Sequence, residues 1–175
     1  LRRGAWTYYW IGEPNIPRSE LGDTTAGLLG FGHIGRAIAA RAKAFGMGVS
    51  VANRTRIAPS ALVDRSFGLD ELGAFMGSAD TIVVSLPLLD STRGLVDAQA
   101  LAAMRRDAVI INVGRGPVID EAALFAALKA ERIGGAVIDT WYRYPAPGDG
   151  PTAPSALPFH TLANVVMTPH MSGWT

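Results

Sequence analysis

Cysteine is absent from the 175 residues, so the chain holds no disulfide, thiolate nucleophile, cysteine-ligated zinc or iron–sulfur cluster. Histidine is scarce. His33, His160 and His170 are the whole set, and no two sit at the short helical spacing of a metal-binding pair. A metal site is therefore not expected. Lysine is scarcer still, with only Lys43 and Lys129 among the sixteen basic residues. Those sixteen face fifteen acidic residues and leave a formal charge of +1, with no block of like charge. That argues against a surface built for a nucleic-acid backbone or an anionic membrane. No apolar run reaches the roughly 18 residues of a membrane span. The amino end, from Leu1 to Trp6, has no signal-peptide architecture and no initiator Met. The expectation is a piece of a longer protein in a soluble, reducing, cytoplasmic setting.

Apolar residues make up 49% and charged residues 18% of the chain, the balance of a folded domain with a real core. Leu1 to Glu20 mixes Trp6, Tyr8, Tyr9 and Trp10 with Gly12, Pro14 and Pro17, and reads as a lead-in packed on the domain by its aromatics. From Thr25 short apolar runs alternate with helical patterns. Thr25–Leu29, Val49–Ala52, Thr81–Leu86, Val109–Val113, Ala136–Ile138 and Val165–Met167 read as buried strands. Ile34–Phe45, Leu69–Met76, Asp97–Met104 and Asp120–Ala130 read as helices, the third with Asp97 as its N-cap. That alternation predicts an α/β domain whose parallel sheet is covered on both faces. The stretch Pro145 to Pro158 holds five prolines. A loop of this length is expected to be functional or mobile, and lining the site with Trp141 and Tyr142 is the functional alternative.

Gly30-Phe31-Gly32-His33-Ile34-Gly35 is G-x-G-x-x-G between a strand and a helix. In that context Gly30 makes the tight turn, Gly32 lets backbone approach a pyrophosphate, and Gly35 permits close helix–strand packing. The helix amino end then offers free N–H groups to phosphates. A carboxylate for the ribose hydroxyls of NAD is expected at the end of the second strand. Asn53, Arg54 and Thr55 stand there instead, followed by Arg56. A guanidinium holds a 2′-phosphate that a carboxylate would repel. The cofactor expected is NADP in preference to NAD, with NAD as the alternative if Arg54 and Arg56 are merely solvated loop arginines.

Further along, Ile111-Asn112-Val113-Gly114-Arg115-Gly116-Pro117-Val118-Ile119-Asp120 runs from a strand through an arginine flanked by glycines into an N-capped helix. Together with Gly30–Gly35, Ser85-Leu86-Pro87, Gly135–Asp139 and Thr168-Pro169-His170, this resembles the D-isomer-specific 2-hydroxyacid dehydrogenase family, in order, from about Leu21 to Thr175. The resemblance implies a Rossmann-type doubly wound parallel sheet over residues 21–175, the nucleotide-binding domain only. Residues 1–20 would then lead in from a substrate domain outside this chain. It implies an NAD(P)-dependent oxidoreductase passing hydride between nicotinamide and a small D-2-hydroxy or 2-keto acid of the glyoxylate/hydroxypyruvate kind, working as a reductase. It assigns Arg115 to the substrate carboxylate and carbonyl, and His170 to acid/base chemistry. On the cofactor it places His33 and Ile34 with the three glycines at the pyrophosphate, and Leu86, Pro87 and Thr92 along the adenosine and nicotinamide ribose. Val113 and Gly114 lie beneath the nicotinamide, Asp139 at its carboxamide, and Arg115, His170 and Gly173 close by. A homodimer is expected on the same ground. His160 lacks such support and reads as a loop histidine.

An α-keto acid needs a cation for its carboxylate and a proton donor for the oxygen that gains charge, and Arg and His are suited to those tasks. One position departs from the family. A glutamate that pairs with the histidine usually stands five residues after the Asp139 position, and here that residue is Tyr144. A phenol is uncharged at neutral pH and brings a hydrogen bond, so a lower pH optimum for reduction is expected. Trp141 to Asp149 and Met167 to Gly173 also resemble NAD-dependent formate dehydrogenase, a branch with Gln in that slot. That branch keeps an acidic residue where this chain has Asn53, so it stands second. A non-catalytic dinucleotide-sensing protein is the alternative of another class.

Overall fold

The computed structural model describes residues 20–148 and 150–173, so the aromatic lead-in with Trp6, Tyr8, Tyr9 and Trp10 lies outside the described residues. Strands form at β1 (Thr25–Leu29), β2 (Gly48–Ala52), β3 (Arg65–Phe67), β4 (Thr81–Val84), β5 (Val109–Asn112), β6 (Gly135–Ile138) and β7 (Val165–Met167). The helices are α1 (His33–Ala44), α2 (Leu72–Met76), α3 (Ala98–Ala103) and α4 (Glu121–Lys129). All seven strands pair in parallel, in the order β3-β2-β1-β4-β5-β6-β7. The order reverses between β1 and β4, and ligands of open α/β sheets bind at such a switch, beyond the carboxyl ends of the strands.

Successive side chains of a strand point to opposite faces, and the core is divided accordingly. Leu29, Ala52, Ile82, Val84 and Ile110 pack on one face with Phe75 and Met76 of α2, Leu101 of α3, and Leu124 and Leu128 of α4. Ala26, Leu28, Val49, Val51 and Val83 pack on the other with Ala39 and Ala42 of α1. Burial on both faces is why these strands read as unbroken apolar runs. The expected caps form: the Asp97 carboxylate accepts from the Ala100 amide at 2.8 Å, and Asp120 does the same for Ala123 at 2.8 Å.

Several element ends shift by one residue, and three differences from the sequence expectation are larger. β3 was not expected, because Arg65-Ser66-Phe67 offers one buried apolar side chain and becomes a strand only by pairing with β2. The run from Thr81 leaves the sheet after Val84 instead of at Leu86, although Ser85 N–H still reaches Leu29 O at 3.0 Å. Leu69–Met76 divides into a 3-10 turn, Leu69–Glu71, and the short α2.

Phe75 is fully buried and meets Phe67 edge to face at 6.0 Å. Phe75→Ala is expected to destabilise the protein by about 3–5 kcal/mol, seen as a lower urea midpoint at unchanged slope.

Candidate functional site

β1 delivers the chain to Gly30, whose φ of +103° is strained for any side chain. α1 follows at once, with Gly32 as its N-cap and no side chain capping it. Its first-turn amides are left for an external anion. A Cβ on Gly35 would lie 2.4 Å from Gly30 O, so the helix sits hard on the loop, while one on Gly32 would meet nothing within 4 Å. Packing at Gly35 and open space at Gly32 fit a dinucleotide pyrophosphate. His33 and Ile34 are exposed on that first turn.

At the end of β2 the two arginines part company. Arg56 pairs with Glu71 and donates to Ser66 O at 3.3 Å, whereas Arg54 is exposed and has no partner among the described residues. Asn53 donates through Nδ2 to Thr55 O at 3.1 Å, which tightens the turn. No carboxylate occurs from 53 to 56.

The switch point opens into a cleft of about 390 Å³ lined by Ile34, Leu86, Pro87, Val113, Gly114 and Arg115 among others. Thr92 does not open into it. Its hydroxyl is buried, donating to Pro87 O at 2.7 Å and accepting from the Leu89 amide at 2.8 Å, so it braces the loop that carries Pro87. The turn that displays Arg115 is built by a residue that sequence reasoning passed over, Asn112. Its buried side chain accepts from the Gly114 amide at 3.1 Å and donates to Arg115 O at 3.2 Å. An asparagine closing an otherwise apolar run just before Val-Gly was the available signal, since short amides make such turns. Arg115 itself is exposed, with Nη1 on Gly114 O at 2.7 Å. A Cβ on Gly116 would fall 2.3 Å from Trp141 O, so this turn rests directly on the backbone after β6.

Beyond β6, Asp139 is buried, with 2% of its surface exposed. One oxygen accepts from Thr168 Oγ1 at 2.6 Å and the Met171 amide at 3.0 Å; the other accepts from the Ser172 amide at 3.1 Å and Ser172 Oγ at 2.5 Å. The resemblance assigns Asp139 to the nicotinamide carboxamide; here both oxygens are engaged by its own neighbourhood. Burial pushes this carboxyl up, but the hydrogen bonds from Ser172, Thr168 and the two amides outweigh it and hold the group at about 2. The anchored loop carries His170 at a φ of +54°, a conformation a histidine adopts only when its surroundings impose it. The imidazole is exposed and makes no hydrogen bond among the described residues.

Tyr144 meets His170 ring to ring, centroids 5.5 Å apart and tilted 58°. Its hydroxyl accepts from the Trp141 amide at 2.9 Å, and among the described residues no hydrogen bond joins it to His170. The Trp141 indole N–H donates to Thr168 O at 2.8 Å. His170, Tyr144 and Trp141 line a second cavity of about 550 Å³, with Thr152 and Pro154 supplied by the long proline-rich loop. Tyr142 does not line it; it stacks on Phe159 at 6.4 Å, and burial, with the nearby Glu121 and Asp120 carboxylates, pushes its phenol far up. His160 is exposed on a short 3-10 turn, and Gly173 lies exposed beyond the loop.

Arg115 and His170 each stand third beyond the end of a strand, two strands apart on one sheet edge, or about 10 Å of sheet. They line adjoining clefts, not one common cavity. Residues 1–172 match the family described as "D-isomer specific 2-hydroxyacid dehydrogenase, NAD binding domain". The chain belongs to that family. It is 37% identical to glyoxylate/hydroxypyruvate reductase B of Yersinia pestis over 86% of its own length and 44% of that protein's. It superposes on a D-isomer specific 2-hydroxyacid dehydrogenase from Xanthobacter autotrophicus, in complex with NADPH and MES, with a TM-score of 0.81 and 36% identity, covering 97% of this chain and 49% of the other. A D-lactate dehydrogenase with NAD+ from Lactobacillus jensenii gives a TM-score of 0.81 at 28% identity, over 99% and 52% of the two chains. The chain thus spans about half the length of these dehydrogenases. Among its described residues no helix is long and apolar enough to cross a membrane.

For this 2-hydroxyacid dehydrogenase domain the sheet edge offers a guanidinium, an imidazole and a free helix end, a set suited to anions and to proton transfer. Removing Asp139 tests its hold on the histidine loop. In Asp139→Ala the Met171 and Ser172 amides are expected to lose protection in hydrogen exchange while β1 and β4 keep theirs. Because the folded carboxyl titrates below its ordinary range, the wild-type anchor is fully present above that range and is lost only as pH falls through about 2. Protection of both amides should therefore persist to mild acid.

Proposed function

We propose that this chain is the nucleotide-binding half of an NADPH-dependent reductase of small 2-keto acids of the glyoxylate/hydroxypyruvate kind. One observation carries the reading: Arg115 and His170 stand exposed on the same sheet edge as the uncapped amino end of α1. The nicotinamide, when bound, supplies the hydride. Arg115 forks onto the substrate carboxylate and fixes the keto carbon in orientation. His170 in its protonated form gives its proton to the carbonyl oxygen as the C=O π pair moves there, which yields the hydroxyl. The reverse reaction uses the same two groups, with neutral His170 as base. The relative bound to NADPH and the relative named for glyoxylate and hydroxypyruvate support this choice. The formate-type and non-catalytic readings gain no support from these relatives. The working form is proposed as a cytoplasmic homodimer on the family's pattern, and sedimentation equilibrium gives its stoichiometry.

NADP preference rests on Arg54 at the end of β2, whose guanidinium has no partner among the described residues. In a fluorescence titration NADPH is expected to bind more tightly than NADH. Arg54→Ala should weaken NADPH by about tenfold, the worth of one charge-assisted hydrogen bond, and leave NADH nearly unaffected. Equal binding of the two cofactors by wild type refutes the preference.

Tyr144 gives a second test. A carboxylate beside an imidazole favours its charged form. Tyr144→Glu is therefore expected to move the high-pH fall in reductase rate of the full-length enzyme upward by about one unit. Superimposable profiles would mean that the residue in this slot does not tune the histidine.

A further inference from the structure

The cavity beside His170 is larger than a two- or three-carbon acid requires. At about 550 Å³ it falls in the size range of pockets that enclose whole organic ligands. Trp141, Tyr144, Pro154 and Met167 make most of its wall apolar, and among its lining residues two side chains carry or can carry charge, both positive: His170 and Arg143. Arg143 is set there by its backbone. Its amide and that of Tyr142 donate to Pro154 O at 3.0 and 3.2 Å, which ties the segment to the long loop. The Tyr144 hydroxyl on the Trp141 amide closes the turn around it.

The Arg143 guanidinium has no ion pair or hydrogen bond among the described residues, whereas Arg56, Arg105 and Arg132 are all engaged. Among the described residues, two carboxylates on the neighbouring elements are taken. Asp139 serves Thr168, Met171 and Ser172, and Glu121 accepts from Ser155 and Ala156. An unpaired guanidinium beside an apolar wall is a receptor for a planar anion, which it can hold through two parallel hydrogen bonds. The Arg115 turn abuts, through Gly116, the backbone of Trp141, which is itself a wall of this cavity.

We propose that Arg143 is a specificity-determining residue that binds a second carboxylate at the far end of a longer substrate, extending the range from the small 2-keto acids above to 2-keto dicarboxylic acids. This rests on the reductase reading above. Arg115 takes the carboxylate next to the keto group, His170 faces the keto oxygen, and the apolar wall accommodates the methylenes between the two ends.

The test uses the full-length enzyme and two acids of equal length, 2-oxoglutarate and 2-oxopentanoate, which differ in a terminal carboxylate against a methyl. Wild type is expected to prefer the diacid in kcat/KM. Arg143→Ala should lower that preference about tenfold through KM, and Arg143→Lys should restore part of it. A binding readout accompanies the kinetics: 2-oxoglutarate should perturb tryptophan fluorescence of the NADP+-loaded enzyme at lower concentration than 2-oxopentanoate, and less so in Arg143→Ala. Turnover without preference for the diacid, or a preference that survives Arg143→Ala in a folded variant, overturns the inference and leaves the reductase reading standing. Turnover of neither these acids nor glyoxylate overturns the reductase reading and this inference with it.

Discussion

Both oxygens of Asp139 accept hydrogen bonds from the loop after β7, and most of the site hangs on that one buried carboxylate. It fixes Thr168, whose carbonyl receives the Trp141 indole. Trp141 in turn supplies the backbone on which Gly116 rests, and Gly116 fixes the turn that displays Arg115. His170 sits inside the anchored loop in a left-handed conformation that no local preference of histidine would select. A buried carboxylate is tolerable only when its lone pairs are filled, and four donors do so here. The two groups proposed for chemistry are thus held by one connected set of contacts across β5, β6 and β7.

Several cationic groups on this edge are open to a ligand. Among the described residues Arg54, Arg143 and the amino end of α1 are without a side-chain partner and Arg115 meets only its own turn, while the Asp139, Glu121 and Glu71 carboxylates are bound to backbone amides, hydroxyls or an arginine. A low net charge for the whole chain therefore conceals a local field suited to anions. The surface ion pairs, such as Lys43 with Asp64 and Arg105 with Asp80, lie away from the clefts, and exposed pairs of this kind contribute little to stability. The Arg56–Glu71 pair bears on the site indirectly: it leaves Arg54 as the guanidinium at the end of β2 without a partner among the described residues.

The sequence alone determined the parallel α/β sheet, the phosphate loop and the identity of the exposed arginine and histidine, because these follow from local rules. Doubly buried strands read as apolar runs, caps read as Asp three residues before an amide, and Gly30 and Gly35 read from their spacing in a strand-to-helix turn. Only the tertiary structure decided the rest. β3 exists through its partner β2, so three residues with one buried apolar side chain carried no periodic signal. Thr92 could equally have faced a ligand or its own loop, and the choice was made by the carbonyl of Pro87 lying within reach. Tyr144 was legible as an uncharged replacement, but its hydroxyl went to Trp141 because the turn from 141 to 144 closes on itself. Asn112 and Asp139 became the builders of the two turns, and Arg143 came to line the cavity with His170, through contacts between strand ends that are distant in sequence. Spacing along the chain cannot encode such contacts; they arise only when the parallel strands bring their carboxyl ends to one edge.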